Sequence, residues 1–476
     1  MLPKTLKYGS KVESAMAKSS RVNIAPQNGT STYRLGDTII LNIPTRNNLV
    51  LATSESYLKF NVLITSGVAA NAFRWDTCGA HGLIQRIRVF HGSNLLQDID
   101  NYGMLAKLLF DLQLPTDNCL GKQSMLVGTR SDLVVSTPGA YPVSTNIPAY
   151  QVNSGERVGG LVNSIPAVPG GAALLVNIAP LTGVGGSVNE TYCLNLISLI
   201  GSLSSSNYFP CFACTSAPLR VEIQLIDSLI KGCADLTGTA VAPSTIALTN
   251  VEYVANFIEL GDQAMSVIYG SLEGQPLQYC VPDFRSFTYS TTLGTGGTGI
   301  AMPIPAKFSS LKNLIVAQRD QALGAYGGYF PFSSVSLGLT DYQFRIGSQI
   351  MPPKSPNSMN EFFCESLKAM GSIADINYTP SINKMIYSLK NSIPSAESAT
   401  SVSVASSGSF TIGLDLENYC SSPKDTIFAG YNSNTDDIFL MANYGVQAAA
   451  VTVRWDAYAS FDSVLVFENN AAYVKF

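Results

Sequence analysis

Histidine is the scarcest reactive side chain in this sequence, with His81 and His91 the only two among 476 residues. A Ser-His-Asp hydrolase or an imidazole-built metal centre would need one of them. No Gly-x-Ser-x-Gly elbow is present to set a serine against either ring, so both read as structural histidines. Cys211-Phe-Ala-Cys214 has the spacing of a redox pair or half a zinc site. No second Cys-x-x-Cys or His pair stands nearby to complete four ligands. Pro210 precedes the pair and an alternating segment follows from Pro218, so no helix is at hand to lower a thiolate pKa. Gly294-Thr-Gly-Gly-Thr-Gly299 satisfies Gly-x-Gly-x-x-Gly, but Pro303 and Pro305 follow it, which removes the helix N-terminus a phosphate would need; it reads as a loop between strands. Asp415 and Glu417 share the outward face of an alternating segment, a pairing that chance supplies among 33 acidic residues. The sequence therefore offers no catalytic residue, no cofactor-binding motif and no metal site.

The composition points instead to a subunit that lives among partners. Only 13% of residues are charged and 46% are hydrophobic, against about 25% charged in an ordinary soluble domain. The longest apolar stretches, Ala172 to Leu181 and Cys193 to Leu203, are too short to span a membrane. A surface this poor in Lys and Glu is either covered by partners or made polar by Ser, Thr, Asn and Gln. The net charge of −4 gives the body of the protein no long-range pull on nucleic acid. Nine cysteines spread over this length are too sparse for a disulfide framework and read as free thiols of a reducing compartment. The first residues, Met1-Leu-Pro-Lys-Thr-Leu-Lys7, have no apolar stretch behind the lysines, so no secretory signal is expected and the sequons at Asn28, Asn189 and Asn377 read as chance. Lys4, Lys7, Lys11 and Lys18 share one face if residues 2–20 are helical. With Arg21 and Glu13 they bring the first 21 residues to +4, a basic arm suited to an anionic surface.

The length suffices for two to three domains with cores of their own. The commonest pattern along it is strict alternation over five to nine residues, the signature of a strand with one buried face. Leu58, Phe60, Val62 and Ile64 show it, as do Leu219 to Leu225, Val251 to Phe257, Phe410 to Leu416 and Val451 to Ala457. Many short strands between turn-rich loops predict sandwiches or barrels rather than a parallel sheet. Two segments alone carry helical spacing. The first, from an expected N-cap at Asp100, places Tyr102, Leu105, Leu108, Leu109 and Leu112 on one stripe. The second opens on the capping box Ser358-Met-Asn-Glu361 and carries Met359, Phe362, Phe363, Leu367 and Met370.

What precedes and follows these helices repeats. A strand ending in Val89-Phe-His-Gly92-Ser93-Asn-Leu95 leads to the first helix, and Tyr342-Gln-Phe-Arg-Ile-Gly347-Ser348-Gln-Ile350 leads to the second. Each helix opens 8 to 11 residues after the glycine. After each comes a long stretch rich in Gly, Pro, Ser and Ala, about 114–188 and 371–408, and then strands resume. A repeated unit implies two equivalent domains, expected to join near Asn250: residues 1–29 as basic arm, 30–249 as first domain and 250–476 as second.

In this layout the chain resembles the double-jelly-roll major capsid proteins of the adenovirus and tailless-phage lineage, and most of all those of polinton-like viruses and virophages. The resemblance rests on Ile87-Arg-Val-Phe-His-Gly-Ser-Asn-Leu-Leu-Gln-Asp-Ile-Asp-Asn-Tyr102 and Tyr342-Gln-Phe-Arg-Ile-Gly-Ser-Gln-Ile-Met-Pro-Pro353, and covers nearly the whole chain. It implies an all-β fold of two tandem jelly-roll barrels. It also implies homotrimers with a pseudo-sixfold outline that tile an icosahedral virion, a place beside minor capsid or penton proteins, and outward loops available to a host receptor. No catalytic residue carries over. The basic arm would lie inside the shell against membrane headgroups or genome, and the protein would be made in the host cytoplasm or nucleus. Two alternatives are a minor capsid or spike protein of similar fold and a carbohydrate-binding or glycan-cleaving β-sandwich; for the latter Trp75 and Trp455 are the only tryptophans on offer.

Overall fold

The computed structural model describes residues 17–29, 31–66, 72–115, 118–128, 181–182, 187–204, 207–235, 244–272, 274–321, 329–371, 373, 380–382, 384–392, 407–417 and 430–476. The first half contains strands β1 (Ala17–Ile24), β2 (Thr32–Arg34), β3 (Thr38–Ile43), β4 (Leu49–Leu51), β5 (Tyr57–Ser66), β6 (Ala72–Trp75), β7 (Ile84–His91), β8 (Asn94–Asp100), β9 (Leu181–Thr182), β10 (Ser187–Leu194), β11 (Leu219–Leu225), β12 (Cys233–Asp235) and β13 (Ser244–Leu260), with the helix Tyr102–Gln113 after β8. The helix Asp262–Ser271 leads into the second half, made of β14 (Leu277–Leu293), β15 (Thr298–Ile304), β16 (Leu311–Asp320), β17 (Leu339–Ile346), β18 (Gln349–Met351), the helix Met359–Met370, β19 (Thr411–Asp415), β20 (Ile438–Tyr444), β21 (Val451–Glu468) and β22 (Ala471–Lys475).

Every named strand pairing is antiparallel, and the two halves have the same strand order. In the first, β1 and β2 lie one after the other along β13, which continues to β5 and β10; the facing sheet runs β3-β11-β7-β8. In the second, the orders are β14-β21-β16-β19 and β15-β20-β17-β18. Position for position these are two four-stranded sheets facing each other, wound as a jelly roll and present twice. A small sheet, β12-β6-β9, is added to the first.

Alternation explains the sheets. Along β11 the side chains of Leu219, Val221, Ile223 and Leu225 are buried while Arg220, Glu222 and Gln224 are half-exposed, and each inward residue contributes roughly 1.5–3 kcal/mol of apolar burial. Arg220 and Glu222 sit outward, and Arg88 Nη2 pairs with Glu222 Oε2 at 2.8 Å. β19 departs from the expected alternation, being buried from Thr411 through Leu414. The helix Met359–Met370 covers its second face so closely that a Cβ at Gly413 would lie 3.0 Å from Ala369 Cβ and from Ser366 Cα.

The repeated Gly-Ser pairs are two-residue hairpin turns. His91 pairs with Asn94 around Gly92-Ser93, and Ile346 with Gln349 around Gly347-Ser348. Gly92 has φ +58° and Gly347 φ +57°, the left-handed backbone a tight hairpin asks of its first central residue.

Three sequence expectations are corrected. A further strand, β8 or β18, intervenes between each turn and its helix, so the unit is hairpin then helix. The N-cap position of the first helix is Asn101, at φ +52° and without a side-chain capping bond, and Asp100 instead accepts the Asn101 amide at 2.8 Å. Asn250 is no join: β13 runs through it from Ser244 to Leu260 and pairs only with first-half strands, so the passage between barrels lies after Leu260.

The strand directions also sort the ends of the molecule. Ile43 and His91 both pair with Leu219, so β3 ends beside the Gly92-Ser93 turn and β4 follows against the end of β13, while β8 returns to the far end and is followed there by the helix Tyr102–Gln113. β5 begins beside Val254, so Leu260 and its partner Ala17 lie at the turn end. β1 therefore begins at the end opposite the one where the helix Tyr102–Gln113 follows β8.

Candidate functional site

None of the side chains singled out for chemistry forms a reactive centre. His81 is buried, with Nδ1 3.0 Å from the Tyr102 hydroxyl and Phe110 edge-on to its ring; burial pulls its pKa down to about 3, so the ring is neutral. His91 is equally buried. Its Nδ1 accepts the Ala472 amide at 3.1 Å, which leaves Nε2 to donate to the Cys214 carbonyl at 3.0 Å. Cys211 and Cys214 are buried free thiols, and burial raises both pKa values, that of Cys214 to about 12. The Gly294–Gly299 segment is the β14–β15 connection running into β15. Glu417 pairs with Lys312 at 3.4 Å, and Asp415 accepts the Glu417 amide at 3.0 Å, so the two carboxylates serve a local turn. Among the described residues no group of three or more His, Cys, Asp or Glu side chains is placed to hold a metal ion. Trp75 and Trp455 are both fully buried, which leaves the carbohydrate-binding alternative without an exposed indole.

The basic arm divides in two. Lys4, Lys7 and Lys11 lie outside the described residues. Lys18 and Arg21 belong to β1, a strand paired with β13 from Ala17↔Leu260 to Ile24↔Tyr253, so the conditional helix over 2–20 does not reach its last residues. In a strand, residues three apart point to opposite faces. Arg21 lies over the Tyr57 ring at 5.9 Å.

The part of the molecule that concentrates buried polar chemistry is the seam between the barrels. At the insertion end, Lys107 of the first helix is wholly buried. Its ammonium donates to Asp111 Oδ2 at 2.8 Å, Thr77 Oγ1 at 3.0 Å and Ser409 Oγ at 3.2 Å, with Asp76 3.8 Å away. Ser409, from the second barrel, donates in turn to Asp111 at 2.7 Å, and Asp76 accepts the Phe332 amide at 3.0 Å. Beside this cluster the buried Asp456 of β21 accepts from Asn101 at 2.9 Å, Arg454 at 2.9 Å and Arg319 at 2.7 Å, while the Tyr458 hydroxyl donates to the Asn101 carbonyl at 2.8 Å. A cavity of about 760 Å³ opens next to it, lined from both barrels by Gln85, Gln224, Arg319, Tyr329 and Arg454.

Toward the turn end, Gln97 of β8 donates to the buried Asp283 of β14 at 2.7 Å. Desolvation raises the Asp283 carboxyl to about 7 against the pull of its hydrogen bonds. Asn94 donates to the Ala472 carbonyl at 3.1 Å. Between the polar groups, Val281, Phe284, Tyr458, Leu465, Phe467 and Ala472 of the second barrel are part of the first barrel's hydrophobic core. Apolar burial holds the barrels together, and the paired charges fix their register, because leaving any one unpaired in a dry interface costs several kcal/mol.

Sequence reasoning passed over this seam. The one signal was Lys107 with Asp111 at i+4, a charged pair on an otherwise apolar helix; the other partners are 30 residues upstream in Thr77 and 302 downstream in Ser409, beyond any local spacing.

No protein-family model matches the chain, and no curated protein matches it in sequence. Solved structures do. A chain of the PBCV-1 virus capsid model superposes with TM-score 0.58 at 9% identity, over 99% of this chain and 100% of that one. The Faustovirus major capsid protein gives 0.57 at 9% identity, over 97% and 92%. A chain of the Sputnik virophage cryo-EM structure gives 0.56 at 11% identity, over 100% and 92%. The fold is a double jelly roll. At identities this low, what the double jelly rolls share is the order of strands and the pairing of two barrels, and both barrels of this chain are spanned.

Proposed function

We propose that this chain is a major capsid protein, a structural and non-enzymatic subunit that trimerises into pseudo-hexameric capsomers of an icosahedral virion. The observation that carries the reading is the double jelly roll itself, two barrels of identical strand order locked in one register, shared over nearly the full chain with viral capsid proteins. Three such chains set six similar barrels around a threefold axis, which suits a near-hexagonal lattice, and several modest lateral contacts per capsomer suffice to hold it. In this reading the insertions 114–188 and 371–408 face outward, toward a host receptor, and the arm faces the membrane or genome within. Minor capsid and penton proteins are the further partners.

Purification followed by mass measurement and electron microscopy tests it. Regular particles of about three times the 50.7 kDa chain mass, or icosahedral shells, are expected; a chain that stays monomeric at every concentration overturns it. High copy number in a purified virion separates this reading from a minor capsid or spike protein.

A further inference from the structure

The dry cluster around Lys107 holds the parts of a bond-forming site. Lys107 Nζ stands between two carboxyl groups, Asp111 Oδ2 at 2.8 Å and Asp76 Oδ1 at 3.8 Å, and none of the three side chains exposes more than 3% of its surface. In water an ammonium and a carboxylate remain a salt, because water solvates both ions and reverses any condensation between them. Where water is shut out, both brakes are released: the ions lose their solvation, and the two groups meet at an effective concentration far above any reached in solution.

The two carboxyl groups are held differently. Both oxygens of Asp76 accept backbone amides, Oδ1 from Thr77 at 2.7 Å and Oδ2 from Phe332 at 3.0 Å. Two fixed N–H donors on one carboxyl are placed to stabilise the oxyanion of a tetrahedral adduct at its carbon. Asp111 Oδ2 accepts from Lys107 Nζ and, at 2.7 Å, from Ser409 Oγ, while its buried Oδ1 has no hydrogen-bond partner among the described residues. An unpartnered carboxylate oxygen in a dry site is costly, and beside an amine it is a resting place for a proton in transit.

We infer that the chain closes an isopeptide bond between Lys107 Nζ and Asp76 Cγ, with Asp111 relaying the protons. Nζ gives one proton to Asp111, swings toward Asp76 on its flexible four-carbon stem and attacks Cγ as a neutral amine; the charge of the adduct rests against the Thr77 and Phe332 amides. The bond from Cγ to one oxygen then breaks, and that oxygen leaves as water with two protons that came from Nζ by way of Asp111. Ammonium and carboxylate become amide and water, so no oxidant, activating nucleotide or outside proton is needed. The salt bridge described above is the unreacted state. Phe332 and Ser409 come from the second barrel, so the site is complete only once the barrels have met, and the bond then ties the residue after β6 to the helix Tyr102–Gln113. The inference stands apart from the capsid reading and needs nothing from it.

Intact-mass measurement on the purified full-length chain, denatured after folding, tests it. The wild type is expected to be lighter than its sequence mass by one water. Trypsin is expected to release a branched peptide joining 75–86 to 89–122, because an acylated Lys107 is no longer cut. Lys107→Arg and Asp76→Ala should each keep the full mass. Asp111→Asn, with the circular dichroism of wild type, should lose its water more slowly by on the order of a hundredfold. A wild type that keeps its full mass after prolonged incubation overturns the inference whether or not the variants fold, and so does a lost water that peptide mapping places elsewhere, including between Lys107 and Asp111. Folded Asp111→Asn reacting as fast as wild type overturns the relay. A full-mass chain that still forms trimers leaves the capsid reading standing.

Discussion

The ammonium of Lys107 and the hydroxyl of Ser409, 302 residues apart in sequence, lie 3.2 Å from each other in an interface from which water is excluded. The helix of one barrel and the approach to a strand of the other are thereby tied through a single buried cation that also neutralises Asp111 and faces Asp76.

Replacing Lys107 by methionine keeps the volume and removes the charge, leaving two buried carboxylates without their cation. A loss of about 3–5 kcal/mol is expected in urea denaturation. Adding Asp111→Leu should restore part of it, because a buried ion pair replaced as a unit costs far less than one broken. A double variant no more stable than the single would show that the pair is not the source of the loss.

Asp283 gives the seam a pH dependence. Its folded pKa of about 7 lies above the ordinary carboxylate value, so between roughly pH 4 and pH 7 the folded protein holds a proton that the unfolded chain has released. Its contribution is fully present below pH 4 and is lost as pH rises to 7, by at most about 4 kcal/mol. Thermal melts of wild type and Asp283→Asn, compared at pH 5 and pH 8, should show the gap between them widening at pH 8, with the variant ahead there; a constant gap would refute the assignment.

Alanine at either hairpin glycine forces a Cβ into left-handed backbone, at a cost of about 1–2 kcal/mol. Gly347→Ala should cost more than Gly92→Ala, since its Cβ would meet Asp436 Oδ1 at 3.0 Å whereas the nearest atom to the other is Ala217 Cβ at 3.7 Å. Paired denaturation curves check the order.

Deletion of residues 2–16 removes Lys4, Lys7 and Lys11 but spares β1. Trimers are expected to survive while assembled particles lose contacts with their contents, visible as poorly filled shells. Normally filled particles would dismiss the arm as a lining element.

Exchanging 129–180 for an unrelated loop of similar length should change attachment to host cells and leave assembly untouched. Failure to assemble would place that segment in the lattice rather than on the outer surface.

Local backbone demands were the ones legible in the sequence. Gly92-Ser93 and Gly347-Ser348 stood out because a two-residue hairpin tolerates few residues at its first central position, and Ser358 with Glu361 because capping is a contact within one turn: the Glu361 amide donates to Ser358 Oγ at 3.3 Å. A local signal misleads where it has two meanings. Asn250 looks like a turn residue and does have φ +51°, but it sits where the β13 register with β5 shifts between Thr249 and Glu252, a bulge within a continuing strand. β1 was missed as a strand because Ala17-Lys-Ser-Ser-Arg-Val-Asn23 is polar on both faces, and its pairing is decided by β13, more than 200 residues later. The seam was invisible for the same reason of distance.

Burial of the helix Tyr102–Gln113 has a consequence for synthesis. Several of the groups that cover it, among them Phe332, Ser381 and Ser409, leave the ribosome more than 200 residues after it does. Until then the part of the helix surface that those groups cover stays open, a state prone to wrong associations. The nascent chain must therefore be shielded or outrun its own aggregation, and a stop codon before Phe332 would release a half-finished barrel pair with that part of the helix uncovered.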